Sequence, residues 1–190
     1  DMPGIVSGRV HNALYYPPML NLNKLIRPDF AIFRVAEVFK EPIRREYATA
    51  FFNGYGTEIN QFAPGHPDWE EEQYHFLGRT SRILRENSSN FIHQDWTPLV
   101  PTSKDSIWVN EWPGEGTKRI YTMYSIRPEG FRGALFEPSI TGEQHAVDLW
   151  NHEELLFENG KSVLSIDLDA FPKAALGTNN EGAVGSFAKR

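Results

Sequence analysis

Two glutamates and a glycine-interrupted turn carry most of the chemistry this sequence offers. Glu37 stands at or just past the end of the apolar run "FAIFRVAEVF", and Glu58 lies in "GYGTEINQF" shortly downstream. Paired carboxylates on neighbouring strands are the working parts of glycosidic-bond hydrolysis, one as acid or base and one as nucleophile or base. Between them, Asn53-Gly54-Tyr55-Gly56 can bring backbone close to a ligand. Asn53 offers an amide to sugar hydroxyls, and Tyr55 offers a ring for stacking. Glu37 and Glu58 are therefore the candidate catalytic residues, with Asn53 and Tyr55 as candidate substrate contacts. Each has a purely structural alternative. Glu37 can pair with Arg34, Arg44 or Arg45, and Glu58 can face away from the strand ends. The Asn-Gly turn can simply stop a helix, and Tyr55 can be packing.

Other chemistries find less support. The six histidines show no metal-ligand spacing, and no H-E-x-x-H, phosphate-binding loop or dinucleotide glycine pattern occurs. The glycines of "GFRGALFEP" lack a strand-to-helix context, and no G-x-S-x-G elbow is present. With no cysteine, thiolate chemistry and disulfides are excluded. No metal and no cofactor are expected. Trp108, Trp112 and Trp150 are either a sugar-stacking platform or packing residues. The net charge is −6 and basic residues are scattered, which makes nucleic acid a poor partner. Arg79, Arg82 and Arg85 follow three-residue spacing, as on a solvated helix face. No apolar run approaches the roughly 18 residues of a membrane span, so no membrane partner is expected.

These candidates need elements to hold them. The first 28 residues are punctuated by Pro and Asn, which predicts a loop and then a short helix near Met19–Ile26. Residues 30–39 are β-branched and aromatic with little alternation, as in a strand buried on both faces. Ile43, Tyr47, Ala50 and Phe51 then recur at helical spacing, and Asn53-Gly54 stops the helix. A short strand at 57–62 and a loop precede a helix of about twenty residues, with Asp68 as its N-cap. Strand, helix, strand, helix is the order of parallel βα units. From Trp96 the texture changes to short strand-like runs separated by turn signals, the pattern of an antiparallel sandwich. The expected organisation is a partial (β/α) barrel segment at 1–95, a Pro-rich linker at 96–104 and an antiparallel β-sandwich domain at 105–190.

The segments "DFAIFRVAE", "AFFNGYGTEIN", "LGRTSRILRENSSNF", "PLVPT", "KRIYTMYS" and "HAVDLWNHEEL" together resemble the C-terminal part of large glycoside hydrolases of the α-galactosidase-like kind. In these, a (β/α)8 (TIM) barrel is followed by an antiparallel β-sandwich. The resemblance implies an α/β plus all-β fold, made of the last βα units of the barrel and then the sandwich. It implies an oligosaccharide or polysaccharide substrate, and with it a secreted or periplasmic location. A full barrel takes about 200 residues, so the chain is expected to be an excerpt completed by the remainder of a larger chain or by a partner subunit. Its catalytic aspartates usually sit on middle strands, and no position here matches such a motif. Glu37 and Glu58 rest on position alone, and the isolated chain is expected to be inactive. Two alternatives stand beside this reading: a non-catalytic carbohydrate-binding protein that uses the sandwich aromatics, and a structural or assembly subunit.

Overall fold

The computed structural model describes residues 7–11, 20–37, 44–60, 70–127, 130–138, 144–166 and 183–189. Strand β2 (Ala31–Glu37) is the centre of a three-stranded parallel sheet, flanked by β1 (Ser7–His11) and β3 (Thr57–Asn60). A helix of four residues, α1 (Asn23–Ile26), lies between β1 and β2, where a short helix is expected. β1 itself departs from the sequence expectation of a loop. "SGRVH" has one apolar residue in five and none of the strand signature; its pairing with β2 makes it a strand.

Helix α2 (Arg44–Phe52) follows β2, and α3 (Glu70–Glu86) follows β3. The expected N-cap of α3, Asp68, falls outside the described residues. Every residue of α2 from Arg45 onward is buried. A helix with no solvated face must be enclosed, and α2 packs on β2 and β3, on α3, and on two strands of the C-terminal half.

That half is antiparallel throughout. One sheet has the order β4 (Ile107–Pro113), β5 (Arg119–Ser125), β11 (Ala183–Lys189), β7 (Ala146–Asp148), β8 (Glu153–Glu154). A smaller sheet has the order β6 (Phe131–Ala134), β10 (Lys161–Ile166), β9 (Leu156–Glu158). In β5 the period-two alternation divides two apolar faces rather than an apolar and a polar one. Tyr121 and Met123 join Ile107, Val109, Leu135 and Phe136 in the core shared with the smaller sheet. Tyr124, on the opposite face, joins Tyr47, Phe51 and Phe52 of α2, Phe76 and Ile83 of α3, and Trp150. The layers are therefore parallel sheet, helices, larger antiparallel sheet and smaller antiparallel sheet. Among the described residues the parallel strands do not close into a barrel.

Side chains of the larger sheet also take up the end of α2. The Phe52 carbonyl, one of the helix-terminal acceptors without an intrahelical donor, accepts from Asn110 Nδ2 at 3.0 Å and Thr122 Oγ1 at 2.8 Å. The Pro-rich stretch 96–104 runs along β4: Thr97 and Glu111 exchange backbone hydrogen bonds, and Val100 N donates to Val109 O.

Candidate functional site

The C-terminal ends of β2 and β3 lie side by side. Glu37, the last residue of β2, registers opposite Asn60, the last of β3, and Glu58 registers opposite Val35. The backbone of Glu37 is placed by this pairing, while its side chain lies outside what the structure describes. Of its three possible arginine partners, Arg45 bonds Glu46 at 3.3 Å within the first turn of α2, both side chains being buried. The side chains of Arg34 and Arg44 lie outside the described set.

Glu58 is engaged from an unexpected direction. Arg9 on β1 reaches across β2 and forms an ion pair with its carboxylate. Arg9 registers opposite Phe33, so the bridge passes over β2 beside Val35, which is 2% exposed. A bond between the two outer strands requires both side chains on the same face. Ile59, the next residue along, packs on the α2–α3 core instead. Alternation therefore puts the Arg9–Glu58 pair on the sheet face turned away from the helices. The pair remains in contact with water, with side-chain exposures of 58% and 40%. Arg9 escaped the sequence reading because β1 carries no strand pattern.

The Asn53–Gly56 turn sits elsewhere. Gly54 N bonds Phe51 O at 3.0 Å and Tyr55 N bonds Ala50 O at 3.1 Å, the two hydrogen bonds of a Schellman motif. Gly54 has φ +70°, and a Cβ there would stand 2.9 Å from the Phe91 ring. Asn53 is buried, its Nδ2 donating to Thr49 O at 2.8 Å and its Oδ1 accepting from Asn21 N at 2.7 Å. Tyr55 is half-buried. This turn enters β3 at its N-terminal end, whereas Glu37 closes β2 at the C-terminal end. The structure thus brings Glu37 and Glu58 onto adjacent strands and leaves Asn53 and Tyr55 at the other end of the sheet.

The tryptophans divide between core and boundary. Trp112 and Trp150 are 0% and 3% exposed. Trp112 stacks on Trp96 at 4.7 Å, and Trp150 meets Phe76 at 5.4 Å while the Arg79 guanidinium lies over its ring at 4.3 Å. Both are packing residues, and the surface platform is not formed by them; Trp108 is half-buried against Tyr124. Lys24 projects from α1 over Trp112, its Nζ 4.5 Å from the ring centroid and 2.6 Å from the Phe91 carbonyl. Burial lowers its pKa to about 8. Among the described residues no group of three or more His, Asp or Glu side chains is placed to hold a metal, and no helix is long and apolar enough to cross a membrane.

No protein-family model matches the sequence, and no curated protein aligns with it. Solved structures do match. The α-amylase of Geobacillus thermoleovorans, in complex with acarbose, superposes with TM-score 0.58 at 10% identity, over 88% of this chain and 42% of its own. An Anoxybacillus α-amylase gives TM-score 0.54 at 7% identity, over 87% of this chain and 40% of its own. The fold is glycoside-hydrolase-like. The likeness is one of fold, since identities this low carry no residue roles. Within this glycoside-hydrolase-like fold, the chain spans well under half the length of either α-amylase.

Proposed function

We propose that the protein hydrolyses glycosidic bonds, with Glu37 and Glu58 as its carboxylate pair and an oligosaccharide or polysaccharide as substrate. The observation that carries this reading is the β2–β3 register, which sets two glutamate positions on adjacent parallel strands with a two-residue offset. At ~3.3 Å of rise per residue and ~4.8 Å between strands, such an offset separates Cα atoms by roughly 8 Å. Carboxyl groups of glycoside hydrolases stand about 5 to 9.5 Å apart, the shorter end for retention and the longer for inversion. Two glutamates at this offset can span that range by side-chain rotation. A carboxylate held by a guanidinium suits the anionic part of the reaction. Glu58, paired with Arg9, is accordingly the nucleophile or base, and Glu37 is the proton donor. Asn53 and Tyr55, in the turn at the opposite end of the sheet, lie away from this carboxylate pair and take no part in the proposed site.

In its finer form the proposal makes the three parallel strands the last βα units of a (β/α)8 barrel. The antiparallel sheets are then the β-sandwich that follows, in the α-galactosidase-like arrangement. The remaining strands come from the rest of a longer chain or from a partner subunit. Two facts support this: β1 and β3 are the outer strands of the parallel sheet, and parallel sheets are stable with both faces covered. Glu37→Gln and Glu58→Gln in the full-length protein test the assignment on a panel of oligosaccharides. Each is expected to lower kcat by about 10²- to 10⁴-fold, the range for loss of an acid–base group, with the melting temperature retained. Full activity in both variants refutes it.

A further inference from the structure

A second site lies far along the chain from the parallel strands, at the seam between the two antiparallel sheets. A cavity of about 410 Å³ opens there, lined by Val100, Pro101, Leu135 and Phe136 together with Glu137 and Lys161. Its walls are fixed in advance. On one side Val100 N bonds Val109 O at 2.8 Å and Ser103 N bonds Leu135 O at 2.8 Å, tying the 100–103 segment to both sheets. On the other, Leu135 N bonds Ser162 O and Ser162 N bonds Phe136 O, each at 3.0 Å. The Ser103 hydroxyl donates to Ala134 O at 2.7 Å and the Thr102 hydroxyl donates to Ile107 O at 3.1 Å, so both spend their protons on the wall and are left as acceptors only.

The two charged side chains are different. Glu137 and Lys161 line one cavity with opposite charges, yet among the described residues they form no ion pair with each other or with any other group. Gly160 has φ +79°, and a Cβ on it would lie 3.8 Å from Glu137 Oε1. An ionised carboxylate only accepts and an ammonium only donates. A ligand that meets both must donate to one and accept from the other, while laying C–H surface on Val100 and Pro101, the apolar lining residues that present open surface. Hydroxyl groups around a saturated ring do all three.

We propose that this cavity is a binding site for a neutral glycan, one or two pyranose units long, with Glu137 and Lys161 as its hydrogen-bonding pair. The volume falls within the ~300–1,000 Å³ of small-molecule sites. Preformed walls remove the ordering cost that a mobile loop would add to binding. The site is independent of the strand-end carboxylates and stands whether or not those residues catalyse.

Titration of the purified protein with maltose and with cellobiose, followed by calorimetry and by amide chemical shifts, tests the proposal. One of the two is expected to bind with Kd of about 1 mM, shifting the amides of residues 100–103 and 135–137. Glu137→Gln and Lys161→Met each lose a charge-assisted hydrogen bond, and each is expected to weaken binding about ten-fold or more. Both side chains are solvent-accessible, so the fold survives either change, and an unaltered thermal melt verifies this. Glycylglycine serves as the zwitterionic competitor for the same pair of charges. The proposal is overturned if neither sugar binds, if binding is indifferent to both substitutions, or if glycylglycine binds this site while the sugars do not.

Discussion

Arg9 and Glu58 are joined across an intervening strand: a guanidinium on β1 holds a carboxylate on β3 over the backbone of β2. The bond ties the two edges of the parallel sheet together and fixes the orientation of one of the two carboxylates proposed for catalysis. Both partners remain partly solvated, which limits the energy. Exposed pairs contribute about 0.2–1 kcal/mol. Arg9→Met is therefore expected to lower stability by no more than about 1 kcal/mol in urea denaturation. Its effect on kcat should be far larger than this, because it releases Glu58. A loss of stability of several kcal/mol would mean that the pair holds the sheet together and has no positioning role.

The captured carbonyl of Phe52 predicts a larger stability effect. Thr122 donates to it and at the same time accepts from Trp112 Nε1 at 2.9 Å. Thr122→Val removes both bonds in a fully buried setting and is expected to cost about 1–3 kcal/mol by thermal or chemical melting. Asn110→Ala, which removes the second donor to the same oxygen, should cost more when combined with Thr122→Val than alone, because only the double variant strips the buried carbonyl of both side-chain donors. Full additivity in the double-mutant cycle would argue that the carbonyl is not their common point.

Gly54 and Gly56 make a matched pair for backbone substitution. At Gly54 an alanine meets a left-handed φ of +70° and the Phe91 ring at 2.9 Å; the cost is expected to be about 2–4 kcal/mol. At Gly56 nothing lies within 4 Å of an added Cβ, and Gly56→Ala should change stability by no more than about 0.5 kcal/mol. Equal melting temperatures for the two variants would contradict the Schellman stop.

Lys24 gives the chain a pH dependence of definite sign. Burial lowers its pKa from 10.5 to about 8, although the Trp112 ring and the Phe91 carbonyl both favour the charged form. A lysine with a depressed folded-state pKa binds its proton more weakly when folded than when unfolded. Its contribution is therefore fully present above pH 10.5 and lost as pH falls through about 8. The difference in unfolding free energy between the wild type and Lys24→Met should rise in favour of the wild type from pH 8 to 10.5. A flat difference across that window would show that the cation–π contact and the carbonyl bond cancel the desolvation.

Elements whose signals are local were legible in the residues alone. The run 30–39 is β-branched and aromatic with little polar alternation, which sufficed to mark a strand there. Asn53-Gly54 stopped a helix because only a residue free of a Cβ penalty fits the left-handed cap. The switch from βα units to turn-punctuated strands was visible as a change in periodicity, and the placement of Glu37 at a strand end followed from it. Tertiary structure decided the rest. "SGRVH" is a strand because β2 offers it a hydrogen-bonding edge, so Arg9 could not be recognised as the partner of Glu58 before that pairing was known. Trp112 and Trp150, whose composition fits a sugar platform equally well, became core residues because α2 and α3 pack on the antiparallel sheet and enclose them. Glu137 and Lys161 meet at one cavity only because β6 and β10 pair. Local sequence sets backbone preference residue by residue, whereas ion pairs across a sheet, aromatic burial and cavities are set by which surfaces meet, and that information is distributed over the whole chain.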